Sequence, residues 1–120
     1  MGQMPRYSII YTETAAQDIM GKAAYIAQQL HAPDLADKWY TRLQATISEC
    51  LSVFPMKYPL YNVPPWDEKG IRQFTTRNDV ILYSADESKR IIYIRCVCTR
   101  GQELTAHLKA INQSFTEDGR

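Results

Sequence analysis

The stretch from Gly70 to Arg100, GIRQFTTRNDVILYSADESKRIIYIRCVCTR, constrains the fold more than any other part of the chain. Val80-Ile81-Leu82-Tyr83 and Ile91-Ile92-Tyr93-Ile94 are β-branched and aromatic runs, the residue types that suit a pleated, half-buried surface. Asn78-Asp79 and Asp86-Glu87-Ser88-Lys89 separate the runs with side chains that can bond their own backbone. The pattern predicts a three-stranded antiparallel meander. Six basic residues against three acidic ones give this stretch a net +3 on a chain whose total is only +1. The positive charge is therefore concentrated on the meander.

Upstream, Tyr7-Ser8-Ile9-Ile10-Tyr11 predicts a first strand. Thr14 with Gln17 three residues on has the form of a capping box, and Ala15, Ile19, Ala23, Ile26 and Leu30 follow at helical spacing. Gly21 weakens that helix by about 1 kcal/mol relative to Ala. His31-Ala32-Pro33-Asp34 ends it, with Asp34 as the expected N-cap of a second helix. That helix carries the stripe Ala36, Trp39, Leu43, Ile47, Cys50 and Phe54, and Pro55 stops it. So short a link predicts an antiparallel hairpin. Beyond the meander, Leu104, Leu108, Ile111 and Phe115 predict a short C-terminal helix.

The order strand, helix, helix, three strands, short helix defines an α+β class: a two-helix antiparallel hairpin on a small, mostly antiparallel four-stranded sheet. With helices on one face, the other is expected to be open, lined by Arg72, Arg77, Arg95 and Arg100. A length of 120 residues predicts a single domain over 1–120 that buries roughly two thirds of its unfolded surface. No apolar run approaches the roughly 20 residues of a membrane span, and no signal segment follows Met1. Three cysteines fit a reducing compartment better than a disulfide framework, so a cytoplasmic protein is expected. Cys96 and Cys98 with one distant histidine are too few ligands for a structural metal site, which leaves small buried thiols. No cofactor motif is present. Tyr58, Tyr61 and Trp66 lie in the aperiodic, proline-rich stretch 55–70, and the Pro59–Trp66 loop either tucks under itself or presents Tyr61 and Trp66 to a partner.

Several short motifs, taken in order, resemble the RelE/ParE superfamily, the toxins of bacterial type II toxin–antitoxin pairs. They are Tyr11-Thr12 with Ala15-Ala16-Gln17-Asp18-Ile19, then Tyr25-Ile26, then Phe54-Pro55-x-x-Tyr58-Pro59-Leu60. Gly70-Ile71-Arg72-x-Phe74, Ile81-Leu82-Tyr83, Asp86-Glu87 and Ile94-Arg95 continue the series. The resemblance implies a RelE-like fold, a growth inhibitor linked to plasmid stabilisation, and silencing by a cognate antitoxin protein. It also implies one of two targets. RelE-like members cleave mRNA on the ribosome; ParE-like members bind and poison DNA gyrase.

Cleaving RNA requires a base for the 2′-hydroxyl, stabilisation of the phosphorane charge and neutralisation of the leaving oxygen. Arg72 and Arg100 match basic positions of the RelE-like nucleases, and His107 is the available substitute base. Arg72, Arg77, Arg95 and Arg100 are the expected contacts to nucleic acid or antitoxin. The pattern is incomplete. Val80 stands where those nucleases commonly have Arg, Ala106 where they have Tyr, and Cys98-Thr99-Arg100-Gly101-Gln102 where many ParE-like members have His-x-Arg-Arg-Asp. The missing residues favour a ParE-like toxin acting on gyrase. A RelE-like endoribonuclease and a non-toxic member that still binds its antitoxin are the alternatives.

Overall fold

The computed structural model describes residues 6–101. Strand β1 (Ser8–Tyr11) leads into helix α1 (Glu13–Ala24), which loosens into a π-turn over Tyr25–Gln29. Helix α2 (Pro33–Leu51) returns antiparallel and is followed by a short 3-10 turn, Pro55–Lys57. Strands β2 (Arg72–Thr75), β3 (Asp79–Asp86) and β4 (Ile91–Thr99) complete a four-stranded sheet in the order β1-β4-β3-β2. β1 pairs with β4 in parallel, and both other pairings are antiparallel. The α+β hairpin-on-sheet architecture is the one the sequence predicts. The expected C-terminal helix, with Ala106 and His107, lies outside the described residues.

Apolar periodicity decides which faces meet. Ala15 and Ile19 of α1 and Leu43, Ile47 and Leu51 of α2 bury against Phe74, Ile81, Tyr83, Ile92, Ile94 and Val97 of the sheet. Thr12 fixes the junction of β1 and α1. Its buried hydroxyl donates to the Ile94 carbonyl at 2.8 Å and accepts from the Ala15 N–H at 3.2 Å, which caps the helix. The N-cap is thus Thr12 rather than the expected Thr14, because the chain turns helical directly after β1. Ala32, not Asp34, precedes α2: Pro33 takes the first helical position, where its missing N–H costs nothing. Phe54 leaves the predicted stripe, 57% exposed, and Leu51 takes the buried place. Leu30 is likewise exposed, because the π-turn rotates it off the stripe of α1.

The second face of the sheet is not open. Trp66 (4% exposed) packs there with Ile71, Val80, Leu82, Cys96 and Cys98, and Tyr61 closes over them. Backbone bonds Tyr61 N–H to Ile71 O and Gln73 N–H to Pro59 O, both 2.8 Å, lace the loop along the outer edge of β2. Of the two readings for the Pro59–Trp66 loop, the tucked one describes Trp66. The expectation of an arginine-lined open face fails for a simple reason. Apolar side chains alternate onto that face too, and the loop covers them.

The half-buried Tyr11 and the buried Tyr83 make stability sensitive to alkali. Burial first, and Tyr40 second, push the Tyr11 phenol from 10.0 up to about 12. Burial pushes Tyr83 higher still. Both groups are neutral in the fold, so their contribution is intact below about pH 10 and lost as pH rises towards 12. Denaturant titrations should show stability falling across that window, with Tyr11→Phe removing part of the fall. An unchanged fall in Tyr11→Phe would assign the effect elsewhere.

Candidate functional site

A groove of about 1260 Å³ separates the tip of the helical hairpin from the β2–β3 turn and the end of β4. Five cationic side chains line it, Lys22 from α1, Lys38 and Arg42 from α2, Arg77 from the turn and Arg100 after β4. Against them stand two carboxylates, Asp18 and Asp79, which leaves a net +3. Tyr25, Leu30 and Leu35 add an exposed apolar wall at the hairpin tip. The groove is therefore both basic and greasy.

Local structure explains why these residues converge. Lys38 and Arg42 are four apart on α2, beside the partly and fully buried Trp39 and Leu43, so they flank the stripe that docks the helix. The Thr76 N–H donates to the Asp79 carbonyl at 2.8 Å, and the Thr76 hydroxyl accepts from the Asp79 N–H at 3.0 Å. The Arg100 N–H donates to the Asn78 carbonyl at 2.8 Å, holding the end of β4 to the turn that carries Arg77. Asp79 itself opens β3 and is 3% exposed, so the break between strands is Thr76–Asn78 rather than Asn78-Asp79.

Both carboxylates are engaged. Asp18 accepts the Val97 N–H at 3.0 Å, supplying a partner for β4 beyond the point where β1 ends. Asp79 takes Lys22 on one oxygen and the Trp39 indole N–H, at 2.9 Å, on the other. The Lys22 ammonium also lies 5.1 Å from the centre of the Trp39 ring. Among the described residues, no ion pair engages Lys38, Arg42, Arg77 or Arg100.

The arginines singled out in the sequence part company. Arg77 and Arg100 share the groove and are exposed. Arg72 does not line it: its guanidinium donates to the Tyr58 carbonyl at 2.6 Å and the Met56 carbonyl at 3.3 Å, stapling the loop to β2. Arg95 is 1% exposed and lies on the far side, donating to Ser84 Oγ at 3.0 and 2.9 Å with its guanidinium 4.9 Å from the Tyr93 ring. It occupies the register irregularity of β4, where Leu82 pairs with Cys96 and Tyr83 with Ile94. This extra residue turns the Arg95 side chain into the protein instead of onto an open face. His107 lies outside the described residues. The trio Arg72, Arg100 and His107 is thus not assembled within the described part of the chain.

The helical cations Lys22, Lys38 and Arg42 complete the groove, and the sequence reading did not single them out. The signal was their position, since each borders an apolar stripe. Cys96 and Cys98 place their sulfurs 3.1 Å apart in the second core. The hydrogen bond with Cys98, and then burial, push the Cys96 thiol well above its ordinary pKa, so this is no reactive thiolate. The described residues contain no group of three or more His, Cys, Asp or Glu able to hold a metal ion. None of their helices is long and apolar enough to cross a membrane.

A helical hairpin packed on a four-stranded sheet with this pairing is a RelE-like α+β fold. The RelBE2 toxin–antitoxin complex from Mycobacterium tuberculosis contains a chain that superposes on this one with a TM-score of 0.55 at 16% sequence identity. The match covers 85% of this chain and 100% of that one. No family model matches the sequence, and no curated protein does. The fold resemblance first carried by the short motifs is borne out.

Proposed function

We propose that the chain is the toxin of a type II toxin–antitoxin pair and that its groove receives an acidic, partly apolar segment of the cognate antitoxin. The RelE-like fold supports the class, and the net +3 groove with its apolar hairpin tip is the observation that carries the partner chemistry. Charge complementarity would give speed and specificity of encounter, while Tyr25, Leu30 and Leu35 offer area to bury. For the target, binding to DNA gyrase in the ParE manner is favoured over RNA cleavage. Arg72, a member of the nuclease trio that the resemblance suggests, has one guanidinium nitrogen held by two backbone carbonyls. The proposal takes residues 1–120 as one domain acting in the cytoplasm.

Controlled induction of the chain alone tests the class, and arrested growth is the expected result. DNA breaks with intact mRNA would support gyrase; cut mRNA would reverse the choice of target. Healthy growth with folded protein would favour a non-toxic member. Co-expressed antitoxin should restore growth. Reversing two groove charges together, Arg42→Glu and Arg77→Glu, should weaken the antitoxin complex about tenfold or more at low salt. Calorimetry that finds unchanged affinity would remove the groove from the interface.

A further inference from the structure

Asp79 is the carboxylate that opens β3 beside the groove. It is 3% exposed, yet it lines the groove and holds two donors, Lys22 from α1 and Trp39 from α2. An ammonium and an indole N–H aimed at two oxygens of one carboxyl group form a ready-made carboxylate site. Lys22 retains 20% side-chain exposure, so an incoming anion can reach it. Moving it away would leave Asp79 buried with Trp39 as its remaining partner, which is costly.

We infer that Asp79 is a built-in competitor for Lys22, an internal carboxylate that holds one cation of the groove out of use and limits affinity for an acidic peptide. The inference rests on the groove being the receptor for such a peptide. It makes Asp79 a specificity-determining residue. A segment that places a Glu or Asp beside Lys22 competes directly with Asp79, whereas a segment without one leaves the pair closed and gains only from Lys38, Arg42, Arg77 and Arg100.

The test separates this role from a structural one by the sign of the effect. A synthetic amphipathic peptide, Glu on one face and Leu on the other, is titrated into the full chain by calorimetry at two salt concentrations. Asp79→Asn keeps an acceptor for Trp39, frees Lys22 and raises the groove charge by one. It should bind about fivefold tighter at low salt, the size of one partly exposed ion pair, and lose more affinity as salt rises. The double variant Lys22→Gln, Asp79→Asn should return to wild-type affinity. Equal or weaker binding by Asp79→Asn, or a gain kept by the double variant, overturns the inference while leaving the receptor reading intact. No binding by any form overturns both. Should Asp79→Asn fail to fold, the wild type still decides the matter by NMR. The Trp39 indole N–H resonance must shift at saturating peptide as Asp79 loses Lys22, and an unmoved resonance sinks the competition.

Discussion

Truncating Trp66 to Ala should destabilise the protein by about 3–5 kcal/mol, the usual cost of emptying a core aromatic site. Trp66 stands outside every regular element, so its effect would otherwise be expected to resemble that of a loop substitution, within about 0.5 kcal/mol. Its surroundings argue for the larger figure. The ring is 4% exposed against Ile71, Val80, Leu82, Cys96 and Cys98. The Trp66 N–H donates to the Val63 carbonyl at 2.8 Å and its carbonyl accepts the Ile71 N–H at 3.1 Å, so the ring is held by its own backbone. Lys69 sits with its ammonium 5.3 Å from the ring centre. Removing the indole would uncover the second face of the sheet, a loss comparable to much of a small domain's total stability. Urea denaturation should show the unfolding free energy falling by that amount, with a lower midpoint and Trp66→Phe intermediate. The groove lies on the helical side, so peptide binding by the folded fraction should be preserved. A shift under about 1 kcal/mol would mean that the loop rests on the sheet without contributing to its core.

The same loop marks the boundary of what could be read in the chain. The meander and the two helices were legible because periodicity reports burial directly: Ile81 and Tyr83 alternate with Val80 and Leu82, and Ala15, Ile19 and Ile26 return at helical spacing. Alternation also carried the information that both faces of β3 are apolar, and hence that something must cover each. The cover comes from a segment with no period, and for that reason the second face was expected to be open. Arg95 failed for a finer reason. A single extra residue in β4 changes which way a side chain points, and no spacing rule announces it. Arg77 and Arg100 were legible as meander charge, but their partners Lys22, Lys38 and Arg42 come from elements distant in sequence. Only the packing of the hairpin on the sheet brings the five together.

Replacing Lys22 with Ala should cost about 3 kcal/mol, more than a surface ion pair is worth, because of what it leaves behind. Exposed pairs contribute about 0–1 kcal/mol, since water replaces either partner. Here the exposure is lopsided: the Lys22 side chain retains 20% and the Asp79 side chain 4%. Water can solvate the lysine but reaches the carboxylate poorly, so removing the cation strands a buried charge. Trp39 alone, donating at 2.9 Å, satisfies one oxygen. The asymmetry predicts an order among variants. Asp79→Asn leaves a solvated lysine and a neutral acceptor and should cost less than Lys22→Ala. The double variant Lys22→Ala, Asp79→Asn should recover much of the single loss, which makes the interaction non-additive. Thermal and urea unfolding of the four proteins measures the cycle. Additive losses would show Asp79 to be well solvated in the absence of Lys22, and the competition argued for the groove would then lose its energetic basis. A strong positive coupling would identify the pair as the contact that ties α1 to the opening residue of β3, across the mouth of the groove where the partner is proposed to enter.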